Sequence, residues 1–116
     1  MTRRDPLISM QQTRDHARYA VEFANGRSRQ ELEADRYFEF ALTHAVELVG
    51  EAARRVPESV RRRHKSIDWE NVIDFRHRLA HGYDAVDLGR LWLAATSQLP
   101  QLIAQLDEIL GAEENA

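Results

Sequence analysis

The strongest constraint on how this chain can fold is one uninterrupted apolar seam. Phe38, Leu42, Ala45, Val49, Ala52 and Val56 follow one another at steps of four, three, four, three and four residues. That rhythm holds side chains on one side of an α-helix, whereas a strand would send them to both faces. Val46, Leu48 and Ala53 widen the stripe, so the helix must pack on more than one neighbour. Ser28-Arg-Gln-Glu31 has the capping-box spacing, in which serine and glutamate each satisfy an N–H left free at a helix start. Pro57 predicts the end at or just before Val56. The helix opened at Ser28 is expected to be the longest in the chain.

The remaining segments carry similar punctuation. Asp5-Pro6 supplies an N-cap acceptor and then a proline at the first helical position. Leu7, Met10, Ala17, Val21 and Ala24 follow at helical spacing, with Tyr19 and Phe23 nearby, and Asn25-Gly26 stops that helix. After a basic linker, Asp68 predicts a third helix through Trp69, Val72, Ile73, Phe75 and Leu79, closing at Gly82. Glycine takes the left-handed closing position at little cost. Asp87 predicts a fourth helix along Leu88, Leu91, Trp92, Ala95, Leu99, Leu102, Leu106 and Ile109, kinked or split by Pro100. Residues 111–116 bury nothing and are expected to fray. No segment alternates apolar and polar residues as a half-buried strand would. The expectation is an all-α protein: a single domain over 1–116, an antiparallel bundle of four to five helices. The breadth of the long apolar stripe points further to a subunit interface.

Composition narrows the function. The 116 residues suffice for one core and not two. There is no cysteine, which excludes disulfides and thiolate metal sites and fits a reducing cytoplasm. The N-terminal residues lead into no apolar run long enough for a signal peptide or membrane span, so a cytoplasmic protein with no membrane partner is expected. A net charge of −3 argues against non-specific coating of nucleic acid. The charge is unevenly spread, however. From Arg54 to Arg78 eight Lys/Arg stand against four acids, about +4, leaving about −7 elsewhere. Arg61, Arg62, Arg63 and Lys65, with Arg78, are candidate substrate-binding cations that would focus a polyanion; the run from 61 to 65 is equally readable as a solvated turn.

The richest chemistry lies in Phe75-Arg-His-Arg-Leu-Ala-His-Gly-Tyr-Asp84. Arg76 is a permanent cation, His81 titrates near neutral pH, and Tyr83 adds a phenol. On an unbroken helix Arg76 and His81 would diverge by roughly 140°. If the helix unwinds at residues 80–82, His81 becomes its last residue and can swing toward Arg76, with protonation favoured by the helix C-terminus. Such a pair suits metal-free acid–base chemistry on a phosphodiester. Each residue also has an inert role open to it. Arg76 can pair with Asp74 or another acid, His81 can bond a free carbonyl, and Tyr83 can pack at the bundle edge. His77 and His81 stand four apart, but a zinc-protease pattern requires Glu where Arg78 stands. No metal and no cofactor are expected. A phosphate-cradling glycine loop and a Ser-centred elbow are both missing.

Arg76-x4-His81, with the polar His77 after the arginine, resembles the signature of the HEPN ribonucleases. Its extension to Tyr83 resembles the HepT-like branch, toxins paired with a minimal nucleotidyltransferase antitoxin. Gly50-Glu51-Ala52, Ile67-Asp68-Trp69, the run from His81 to Asp87 and the helix order extend the likeness from about Asp5 to Leu110. The resemblance implies an all-helical homodimer whose two motifs face one cleft, with Arg76 and His81 as nuclease residues and His77 in support. It implies metal-independent cleavage of RNA, transfer or messenger, by its own 2′-hydroxyl. It also implies AMP addition to Tyr83 by the partner as the control. The family usually has Asn in place of His77. A reading of another class is a non-catalytic helical subunit that binds the nucleotidyltransferase; a small-ligand or metal-binding bundle is a third.

Overall fold

The computed structural model describes residues 5–81 and 85–114, and at 80, 81, 85 and 114 the main chain alone. The fold is all-α. α1 (Pro6–Ala24) starts on Asp5, whose carboxylate accepts the Leu7 N–H, with proline at the first helical position. α2 (Arg29–Ala34), α3 (Arg36–Arg54), α4 (Glu58–Arg63), α5 (Trp69–Ile73) and α6 (Phe75–Leu79) follow. A two-residue antiparallel pair, β1 (Ala80–His81) with β2 (Ala85–Val86), leads to α7 (Leu88–Leu93), a π turn (Ala94–Gln98) and α8 (Leu99–Glu114).

The seam from Phe38 to Val56 is buried at all six positions, and Val46 and Ala53 join it. α3 is the element around which the others pack: it lies along α1 and also touches α2, α5, α6 and α7. α1 presents Met10, Thr13, Ala17, Ala20 and Ala24 to this core and rests on α8 with the same helix. Leu91, Leu99, Leu102, Leu106 and Leu110 close the far side. Each such large side chain removed from water contributes about 1.5–3 kcal/mol.

Three boundaries differ from the spacing-based expectation. The helix opened by Ser28 is only six residues long, because Asp35 interrupts it. The Asp35 carboxylate accepts the N–H groups of Tyr37 (3.0 Å) and Phe38 (3.2 Å) and so begins α3 afresh. Arg27 braces the break from outside, donating to Asp35 at 3.0 Å and to Glu31 at 2.5 Å, with its guanidinium 4.1 Å over the Phe38 ring. α3 is therefore matched in length by α1, 19 residues each, and is not the single longest helix. The basic linker is itself helical as α4, anchored where the Trp69 indole donates to the His64 carbonyl at 3.0 Å. α8 continues past Gly111 to Glu114, so the expected frayed tail does not begin at 111.

Pro100 acts as expected, but the split is a π turn. Proline offers no N–H to the preceding turn, and the Leu99 N–H reaches back to the Ala94 carbonyl, one residue beyond the α-helical partner.

The Phe38 N–H and then the Arg27 guanidinium hold the Asp35 carboxyl below its usual range. A lowered folded value means that stability is present above the unfolded pKa and lost as pH falls through the folded one. Asp35→Ala is expected to lower the melting temperature at neutral pH. Thermal melts across the acid range should show that gap to wild type closing as the cap is protonated.

Candidate active site

The central motif is positioned by a glycine on the core helix. A Cβ at Gly50 would stand 3.1 Å from the carbonyl oxygens of both Val72 and Ile73. Its absence lets the last turn of α5 settle on α3, while Trp69, Val72, Phe75 and Leu79 bury the inner face of α5 and α6. Asp68 caps α5 by accepting the Asn71 N–H at 3.2 Å. The outer face is left to Asp74, Arg76, His77 and Arg78.

Arg76 lines a cleft of about 320 Å³ with Glu47, Glu51, Arg54, Ile73, Asp74 and His77. It is exposed, and among the described residues it makes no hydrogen bond or ion pair. The acid nearest in sequence is engaged elsewhere: Asp74 Oδ1 lies 2.8 Å from His77 Nδ1. This settles one question left open by the sequence, since Arg76 is not paired with Asp74. The carboxylate orients the His77 ring, which stays 87% exposed with Nε2 facing outward from that bond.

A second cleft, about 630 Å³, adjoins the first through Ile73 and Asp74, which line both. Arg61, Arg62 and Lys65 border it together with Trp69. Of the predicted cations, these three are brought beside Arg76, whereas Arg63 lines neither cleft and Arg78 faces another groove. Two are already engaged. Arg61 donates to the Val56 carbonyl at 3.0 Å, and Arg62 pairs with Glu58 at 2.6 Å, holding that carboxyl below its usual range. Arg54 likewise pairs with Glu51. Together the two clefts hold five cations and five carboxylates, so the region is not a uniformly positive trough. Arg76 and Lys65 are the cations there with neither a hydrogen bond nor an ion pair among the described residues.

His81 departs from expectation. α6 ends at Leu79, and His81 lies in extended backbone paired with Ala85. It is not the helical C-terminal residue that the spacing led one to expect. The base of this hairpin is clamped twice. The Asp87 N–H donates to the Leu79 carbonyl at 2.7 Å, and Arg90 donates to the Arg78 carbonyl at 2.9 Å. Asp87 was legible as a helix cap, which it is; Arg90 gave no signal, because its role is to fasten a carbonyl twelve residues away. The glycine stop at Gly82 and the tyrosine Tyr83 lie outside the described residues, as does the His81 side chain.

Comparison with known proteins gives the class to which this helical bundle belongs, the ribonucleases. Residues 13–109 match the family model described as ribonuclease HepT-like. A candidate ribonuclease HepT of Thermococcus cleftensis is 31% identical over 75 residues, 65% of this chain and 68% of that protein. A candidate RNase of Caldanaerobacter subterraneus is 27% identical over 96 residues, 83% of this chain and 86% of its own length. A candidate RNase of Methanocaldococcus jannaschii is 22% identical along essentially the whole of both chains. No solved structure matches. The chain belongs to the HepT-like ribonuclease family.

Gly50→Val is expected to destabilise the fold by about 1–3 kcal/mol, because two main-chain carbonyls must move to admit the side chain. Urea denaturation measures this, and the variant should also lose the geometry of the Arg76 cleft.

Proposed function

We propose that this ribonuclease is a metal-independent RNA endonuclease toxin that works as a homodimer in the cytoplasm. In this reading a nucleotidyltransferase antitoxin silences it by adding AMP to Tyr83. The observation that carries the reading is Arg76: an exposed guanidinium that makes no ion pair among the described residues, held in a cleft five residues from a histidine whose backbone is clamped. An uncommitted arginine is suited to a phosphate, since its planar fork matches two phosphate oxygens.

The chemistry follows from the groups. The substrate 2′-hydroxyl loses its proton and its oxygen attacks the adjacent phosphorus. The bond from phosphorus to the 5′-oxygen breaks, leaving a 2′,3′-cyclic phosphate and a 5′-hydroxyl. Arg76 stabilises the added charge on the phosphorane oxygens. His81 moves protons, and two copies across a dimer supply a base for the 2′-hydroxyl and an acid for the leaving 5′-oxygen. His77, fixed by Asp74, supports the site from its rim. Arg61, Arg62, Arg63, Lys65 and Arg78 serve to hold the backbone of a transfer or messenger RNA. An adenylate on Tyr83 places bulk and negative charge two residues from His81, where the substrate phosphate must sit.

The purified wild-type chain is expected to cut RNA in excess chelator. Arg76→Ala and His81→Ala should each lose roughly 10²–10⁴-fold in rate. Tyr83→Phe should cut normally and remain active beside the nucleotidyltransferase. A wild-type chain that binds the transferase yet cuts no RNA would instead be the non-catalytic subunit.

A further inference from the structure

The face of α5 and α6 turned away from Arg76 borders a different kind of cleft. About 300 Å³ in volume, it lies between α5 and the helical run formed by the π turn and α8. Four amide side chains converge on it: Asn71 from α5, Gln98 from the π turn, and Gln101 and Gln105 from α8. Asn71, Gln98 and Gln105 are half-buried. Gln105 donates to the Ser66 carbonyl at 2.6 Å, which leaves its own amide oxygen available. The side chains of Asn71, Gln98 and Gln101 make no hydrogen bond among the described residues. These amides are reached by solvent, so a ligand can take their donors and acceptors without breaking a bond within the protein.

The π turn set by Pro100 decides which side chains reach this region. Ala94 and Gln98, its first and last residues, both line the neighbouring groove of about 220 Å³, and Gln98 borders both spaces. Shifting the helical register by one residue re-aims every side chain that follows it. Such turns persist where the re-aiming serves a site. The adjoining groove carries Arg78 and Arg90, with Asn71 and Gln98 common to both.

We propose that this amide-lined cleft binds one unpaired nucleobase of the RNA, a base bearing an exocyclic amino group. The proposal rests on the chain's acting as a ribonuclease and adds the base that it reads. Amides offer donor and acceptor side by side, the pattern of a base's hydrogen-bonding edge. Phe75 is only 3% exposed and offers no stacking platform, so recognition is by edge contacts. Asp68 at the rim adds a charged acceptor, which suits an amino group and disfavours uracil's two carbonyl oxygens. Arg78 in the adjoining groove is placed for the phosphate of the same nucleotide, whereas Asp68 keeps phosphate out of the cleft itself. The base site and the Arg76 cleft lie on opposite sides of one helix, about 10–12 Å across. An unstacked strand wrapping that helix reaches both.

The test uses the full chain and two readouts. NMR follows the side-chain amide resonances of Asn71, Gln98, Gln101 and Gln105 as AMP, GMP, CMP, UMP and then short oligoribonucleotides are added. In parallel, cut sites are mapped on an RNA of mixed sequence for wild type and for the Gln98→Leu/Gln101→Leu double variant, which keeps side-chain volume. The proposal expects amide shifts that are larger with oligoribonucleotide than with free nucleotide and weakest for UMP. It expects a preference of roughly tenfold or more against uracil at one position near the cut. The double variant should lose that preference and go on cutting. Cutting by wild type with no amide shift, or an unchanged preference in the double variant, overturns the base site and leaves the nuclease standing. Amide shifts without any cutting overturn the nuclease and keep a base site. Shifts equal for free nucleotide and oligomer overturn RNA as the source.

Discussion

The close approach of two helices at Gly50 sets the geometry on which the rest depends. With no Cβ at that position, the main-chain carbonyls of Val72 and Ile73 come within 3.1 Å of where one would stand. α5 can then lie flat on α3, and the buried Val72, Phe75 and Leu79 set the rotation of α5 and α6. That rotation decides which side chains face the clefts. Arg76 and His77 fall toward α3 and Arg78 toward α7, so three consecutive cationic or titratable residues serve two different grooves. A backbone contact thus separates the Arg76 side of α5 and α6 from the amide-lined side.

Charge is handled locally rather than by a broad field. The chain is acidic, and the clefts around the motif hold as many carboxylates as cations. Two of those five cations are paired with carboxylates three or four residues away, Arg62 with Glu58 and Arg54 with Glu51. Exposed pairs of this kind add little stability, typically about 0.2–1 kcal/mol. Arg76 makes no hydrogen bond or ion pair among the described residues, because Asp74, the acid nearest in sequence, is held by His77. It shares that condition with Lys65 in the adjoining cleft.

Much of this was legible in the sequence, for identifiable reasons. The α3 seam is buried at every predicted position because a broad stripe at helical spacing has only one way to leave water. The caps Asp5, Ser28, Asp68 and Asp87 were readable because a short polar side chain before a helix satisfies its free N–H groups. Asp35 escaped notice since it sits inside an otherwise continuous helical pattern, and only its bonds to Tyr37 and Phe38 reveal the break. The end of α6 at Leu79 was missed for a similar reason: the pairing of Ala80 and His81 with Val86 and Ala85 is a contact between segments, invisible to local spacing. Gln98, Gln101 and Gln105 read as an ordinary polar face until the π turn and α5 bring them against Asn71. The family was legible from the motif and its flanking runs, and the family model matches residues 13–109.

The central claim is that the RNA's own 2′-hydroxyl is the nucleophile and that side chains of this protein suffice to drive its attack. The most direct measurement is the chemical nature of the ends left by the purified wild-type chain acting on RNA in excess chelator. The account predicts a 2′,3′-cyclic phosphate on one fragment and a 5′-hydroxyl on the other, with a substrate carrying 2′-deoxyribose at the cut position left intact. A 3′-hydroxyl with a 5′-phosphate, or cleavage of the deoxy-substituted substrate, would contradict it.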